Sequence, residues 1–255
     1  MIKHLLIAAL FSFSIYHVDA QADRFSYAVT DVVKDGKVWI GLRKLDHASG
    51  SYSDIIFNGV SNNTTIKSTE KGNVFQVKDE IDAKNAADLA FANGVAALAF
   101  DKKTNRLFFV PQNVDQLRYI DLNTNEIYFV DTRFSEIAGK SKAEQISRMV
   151  IAGDGKGYTL SNDGNHLYSF NTKGIPTLTD LGALQDATSS DVTILNNTCS
   201  TAGGDLIADD EGNLYLISAY NNVFQINIES KESQFISKVD GLSISFFTNA
   251  ASVDQ

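Results

Sequence analysis

The chain has 255 residues, 44% of them hydrophobic, a formal net charge of −9 and one cysteine. Such a chain can bury a large core, while its acidic balance excludes the basic stripe of a phosphate-tracking nucleic-acid surface and adhesion to anionic lipid. Cys199 has no second cysteine to pair with, so apolar packing has to hold the fold.

Residues 1–20 read as an export signal. Lys3 and His4 make a short polar start, Leu5 to Ile15 is apolar, and Val18-Asp19-Ala20 offers small residues at the cleavage positions. The mature chain is then expected to begin at Gln21; Lys3 and Asp19 leave together, so its charge stays at −9. No later stretch reaches the roughly 18 apolar residues of a membrane span. The expectation is a soluble, monomeric protein, secreted or periplasmic. Bacterial export suits a chain without disulfides, and the sequons at Asn62 to Thr65 and Asn196 to Thr198 are the only support for eukaryotic secretion.

In chain order, Phe25 to Val32, Val38 to Asp46 and Tyr52 to Phe57 read as strands, followed by a long insertion, 59–93, with a short helix expected at Asp82 to Phe91. The clearest unit spans 94–131: an apolar small-residue run Val95 to Phe100, a polar turn, Arg106 to Val110, Gln116 to Ile120, a second turn and Glu126 to Val130. A second copy runs over 146–181 with its last strand near Pro176 to Leu181, a position where an edge strand tolerates proline. A third occupies 203–239, with Asp209 to Asn213 as a hairpin signal. Residues 131–145 and 182–202 are polar connectors of the kind that often build a ligand-binding face.

One phrase recurs through these units, ending in Asp46, Asp121, Asn171 and Asn227, that is at steps of 75, 50 and 56 residues: Leu42 to Asp46, Leu117 to Asp121, Leu167 to Asn171 and Val223 to Asn227. Several short strands per unit at a period in the range of about 40–60 residues indicate propeller blades. The expected fold is an all-β propeller of four-stranded antiparallel meander blades, at about 25–58, 94–131, 146–181 and 203–239, forming one domain over 21–255. The first unit has no inner strand ahead of it, and residues 243–254 resemble an inner strand with nothing after it. Either that strand closes the ring on the first blade or the ring is incomplete.

Asp209 to Tyr215 and Leu117 to Asp121 best carry a phrase of secreted bacterial β-propellers. The chain resembles those with NHL-like, lactonase-like or quinoprotein-dehydrogenase-like blades. The resemblance implies the blade and no particular substrate.

Candidate chemistry is sparse. Of the histidines, His47 falls at a turn and His166 at a strand start in another blade, which points to surface roles. Asp209-Asp210-Glu211 lacks the ligand order of a calcium loop, and Gly139-Lys140-Ser141 fails as a phosphate loop because Phe134 stands where its first glycine is required. Cys199 reads as an inert buried thiol. Phe108, Phe109, Tyr119, Tyr158, Tyr168, Tyr215 and Phe224 recur at matching blade positions, as inter-sheet packing does. No catalytic, cofactor or metal residues are assigned. The reading is an exported non-enzymatic propeller that binds a protein, peptide or glycan. The alternative is a lactonase or lyase using the carboxylates where inner strands end, at Asp101, Gly153-Asp154 and Asp209.

Overall fold

A computed structural model of the protein describes residues 24–31, 39–58, 66–70, 90–91, 94–138, 145–164, 166–193, 204–218 and 220–241. The signal segment 1–20, Gln21, both sequons, Gly139-Lys140-Ser141, Cys199 and the expected strand 243–254 lie outside the described residues. So does the expected helix, apart from Ala90 and Phe91, which form a turn.

Four small sheets form a four-blade β-propeller. The first holds β1 (Phe25–Asp31), β2 (Trp39–Asp46) and β3 (Phe57–Asn58), side by side in that order. A short strand, β4 (Ile66–Ser68), precedes the second blade, whose meander is β5 (Val95–Asp101), β6 (Arg106–Pro111), β7 (Arg118–Asp121) and β8 (Glu126–Phe129). After helix α1 (Phe134–Ala138) comes the third blade, β9 (Ile146–Ile151), β10 (Lys156–Ser161), β11 (His166–Asn171) and β12 (Leu178–Ala183). The two-residue β13 (Gln185–Asp186) leads to the fourth, β14 (Asp205–Ala208), β15 (Leu214–Ile217), β16 (Asn222–Ile226) and β17 (Glu232–Lys238). Inner strand β5 runs beside β9, and β9 beside β14. Among the described residues no sheet closes on itself.

The recurring phrase has a local cause. Its closing Asp or Asn caps the turn that follows, which supplies the acceptor that a tight turn needs. Asp46 accepts from the Ser49 amide at 2.7 Å, Asp121 from the Asn123 amide at 3.0 Å, Asn171 from the Thr177 amide at 2.6 Å, and Asn227 from the Glu229 and Ser230 amides at 2.9 Å. All but one of the apolar positions before it are buried, namely Leu42, Leu117, Ile120, Leu167, Phe170, Val223 and Ile226, with Leu45 half-buried.

Three apolar clusters fill the gaps between successive blades. Tyr27, Val29, Leu42 and Phe57 meet Leu98, Phe100, Phe109 and Ile127 between blades one and two. Ala97, Ala99 and Phe108 meet Ile146, Met149 and Phe170 between two and three. Tyr158 and Leu160 meet Leu206, Ala208 and Phe224 between three and four. Alternation along each strand thus sends one face to the preceding blade and the other to the following one. Phe170 lies directly over Gly157, its cross-strand partner, with ring atoms 2.0–2.4 Å from where a Cβ would be. The same ring packs on Phe108 of the second blade at 4.9 Å between centroids, so the glycine makes room for the inter-blade aromatic contact. Arg106 adds a polar tie, donating to the carbonyls of Thr172 (3.1 Å) and Gly174 (2.8 Å) across the same boundary.

The described parts of the connectors serve the blade edges. They run along the outer rim: β4 pairs in parallel with β8, β13 pairs in parallel with β17, and α1 packs on β12. The outermost strand of a blade is a raw edge, and a segment arriving from the previous blade covers it. Lys67 on β4 pairs with Glu126, which also accepts a hydrogen bond from Tyr128 Oη at 2.6 Å. That bond pushes the tyrosine up to about 12 and draws the carboxyl below its ordinary range, the Lys67 contact contributing most to the latter. Pro176 precedes β12 instead of standing in it, so its missing N–H costs the ladder nothing.

Candidate functional site

The three carboxylates expected at the inner-strand ends are where the sequence placed them, one per blade, and each is occupied by its own turn. Asp101 accepts from the Lys103 amide (2.9 Å) and Thr104 Oγ1 (2.7 Å). Asp154 accepts from the Lys156 amide (2.9 Å) and Tyr158 Oη (2.8 Å). Asp209 accepts from the Asn213 amide (2.8 Å), Asn213 Nδ2 (2.7 Å) and Tyr215 Oη (2.9 Å). The Asn213 side-chain bond is the main cause of a lowered Asp209 carboxyl, while the charge-assisted bond to Asp209 raises Tyr215. Burial first, then the bond to Asp154, raises Tyr158. A general base would need a free lone pair aimed at substrate; these oxygens are committed to turn geometry.

The histidines are not brought together. His47 Nε2 lies 2.7 Å from Ser26 Oγ on the first blade, and His166 Nε2 lies 2.7 Å from Asp180 Oδ1 on the third, its ring against Tyr168. Among the described residues no three His, Cys, Asp or Glu side chains gather to hold a metal ion.

Two fully buried arginines escaped the sequence reading. Arg118 donates Nε to Gln116 Oε1 (2.9 Å) and a terminal nitrogen to the Ala90 carbonyl (2.8 Å), fixing a described piece of the long insertion beneath the second blade. Arg148, on inner strand β9, donates to the Ser161 carbonyl at 2.7 Å and faces the charges of Asp205 and Asp163. Burial draws its guanidinium down to about 10, with the two carboxylates pushing it back up, so it stays charged at neutral pH. An arginine in a mostly apolar inner strand, Ile146–Ile151, was the available signal.

A cleft of about 190 Å³ opens on the rim of the fourth blade, lined by Ala187, Asn213, Gln225, Ile226, Asn227, Glu232 and Gln234. Phe224 and Ile226 turn toward the third blade, so Gln225 and its cross-strand partner Gln234 project from the opposite face. Among the described residues neither glutamine side chain is committed to a hydrogen bond. Asn227 Oδ1 is consumed by its turn and Asn213 Nδ2 by Asp209. The cleft therefore presents two uncommitted carboxamides and the Glu232 carboxylate, with no cation among its lining residues. Of the matching aromatics, Phe108, Phe109, Tyr119, Tyr158, Tyr168 and Phe224 are buried as inter-sheet packing, whereas Tyr215 is half-buried on this same outward face.

No protein-family model matches the chain, and no curated protein matches it. Among solved structures it is similar to a streptogramin B lyase, at 15% identity over 84% of this chain and 69% of that one, with a TM-score of 0.42. Virginiamycin B lyase from Staphylococcus aureus matches at 11% identity over 58% of this chain and 42% of that one, TM-score 0.36. A protein of unknown function from Bacteroides thetaiotaomicron matches at 13% over 82% and 57%, TM-score 0.41. The chain thus spans between 42% and 69% of the length of these structures. These likenesses assign no activity, substrate or partner to it.

Proposed function

We propose that this chain is an exported propeller that binds a partner and carries out no chemistry on it, and that the rim cleft of the fourth blade is where a peptide or glycan segment sits. One contrast supports the reading: the inner-turn carboxylates that a lactonase or lyase would use are spent on Asp101, Asp154 and Asp209 turn caps, while Gln225 and Gln234 are held side by side with their amides uncommitted. A carboxamide offers a donor and an acceptor in one plane, which suits peptide groups and sugar hydroxyls alike. The proposed location outside the cytoplasm rests on the composition of residues 1–20.

The test is a paired glycan and peptide array screen of the mature chain, followed by titration of any hit against a Gln225→Ala, Gln234→Ala double variant. Losing two to three neutral hydrogen bonds at roughly 1 kcal/mol each should weaken binding about 30-fold to 150-fold, with the melting temperature unmoved because both side chains face solvent. Unchanged affinity in the double variant would remove the cleft from the account.

A further inference from the structure

We propose that the rim cleft of the fourth blade takes one uncharged sugar ring of a longer glycan chain, in preference to a peptide or an acidic sugar; the inference rests on the reading of that cleft as the binding site. The strand registers set its polar groups in two rows on one face. Tyr215, Gln225 and Gln234 lie side by side across β15, β16 and β17. Two residues along each strand, Asn213, Asn227 and Glu232 form the second row, with the Asn227 amide bonded to the Glu232 carbonyl at 2.9 Å. Neighbours within a row stand about 5 Å apart at Cβ and the rows about 7 Å apart. Turn contacts orient the second row. Asn213 gives its Nδ2 to the Asp209 carboxylate, which only accepts, so Oδ1 is its remaining acceptor. Asn227 spends its Oδ1 on the Glu229 and Ser230 amides, so Nδ2 is its remaining donor. Together with the two glutamine carboxamides and the Glu232 carboxylate, the patch sets donors beside acceptors. A sugar hydroxyl is both at once and is met by both.

The other occupants meet specific obstacles. A peptide binds a sheet either as an added strand or through an anchoring side chain in an apolar pocket. The first route is closed beside the cleft, because β13 already pairs with β17 at Glu232 and Ser233 and the Ala187 amide bonds the Ser233 carbonyl at 2.9 Å. The second lacks its pocket: Ala187 and Ile226 are the apolar lining residues, and the Ile226 side chain turns toward the third blade. An acidic sugar would set its anion against Glu232, with no cation among the lining residues to balance the two. Size selects one unit of a chain. The cleft measures about 190 Å³, below the roughly 300–1,000 Å³ of a pocket that encloses a small molecule. Asn213, Asn227, Glu232 and Gln234 are all exposed, so the chain can continue past the ring on either side.

Titration calorimetry of the full chain tests this, with neutral hexasaccharides of glucose, mannose and xylose and with the hexamer of galacturonic acid as probes. At least one neutral hexamer should bind, about tenfold or more tightly than the uronate. That affinity should fall about 30-fold to 150-fold in the Gln225→Ala, Gln234→Ala variant. Glu232→Lys replaces the repelling charge and should bring the uronate at least level with the neutral hexamer. A neutral hexamer that keeps its affinity in the double variant would remove the cleft itself. A peptide bound by the parent and lost in that variant, with no neutral hexamer bound, would keep the cleft and overturn the glycan. Absence of binding by all three neutral hexamers, or a uronate bound by the parent as tightly as they are, would also overturn this inference and leave the cleft to be judged by the array screen.

Discussion

Gly204→Ala is expected to be the most damaging single substitution in the described fold. Gly204 enters inner strand β14 with φ +80°, and a Cβ there would stand 1.8 Å from the Ile217 carbonyl oxygen and 2.7 Å from Ser218 Cα. Both are backbone atoms of the neighbouring strand, so no rotamer change relieves the clash; β14 must move off β15, beginning with the Asp205–Ile217 pair. A loss above about 4 kcal/mol follows, a large share of the ~5–15 kcal/mol of a typical domain. Gly212→Ala is the comparison. Its φ is +87° with open space around the Cβ, so it carries the conformational penalty alone, about 1 kcal/mol. Urea unfolding followed by circular dichroism should separate the two clearly. Equal midpoints would mean that the close approach of β14 to β15 is not as described.

Arg148→Leu should also be costly, for an electrostatic reason. The guanidinium is fully buried, bonds the Ser161 carbonyl, and is the positive charge facing Asp205 of the fourth blade and Asp163 of its own. Removing it leaves the Ser161 carbonyl without this donor and takes the facing charge from the partly buried Asp205 and Asp163, at roughly 2–3 kcal/mol, or a melting temperature lower by about 5–10 °C for a domain of this size. Arg148→Lys keeps the charge without the planar fork and should fall between. A leucine variant that melts with the parent would show that packing alone holds blades three and four together.

The blade was legible in the sequence because its signals are local. Turn aspartates and asparagines, alternating apolar residues and glycine-containing hairpins each act within a few residues, and Asp121 or Asn227 performs the expected capping within its own turn. What escaped depends on distance. The rim strands β4 and β13 are three and two residues long and pair with strands about 60 and 50 positions away, Ile66 with Ile127 and Gln185 with Glu232. Nothing in Ile66-Lys67-Ser68 announces such a partner. Arg148 and Arg118 looked like ordinary strand polar residues, because burial of an arginine is decided by the neighbouring blade or by the insertion. The inner-strand aspartates were placed correctly, but their role turns on which donors reach them. Tyr158 and Tyr215 sit four and six residues downstream of their carboxylates, and their role as Oη donors is set by the hairpin fold. The cleft was out of reach altogether: Gln225 and Gln234 become neighbours only through the β16–β17 register.

Binding without chemistry at the inner turns is tested most directly by assaying the mature chain against a panel of lactones and of substrates for elimination, with added divalent cations and again with chelator. The account predicts no turnover above buffer in either condition. Turnover that appears with metal and disappears on chelation would contradict it, and would return Asp101, Asp154 and Asp209 to the role of catalytic carboxylates.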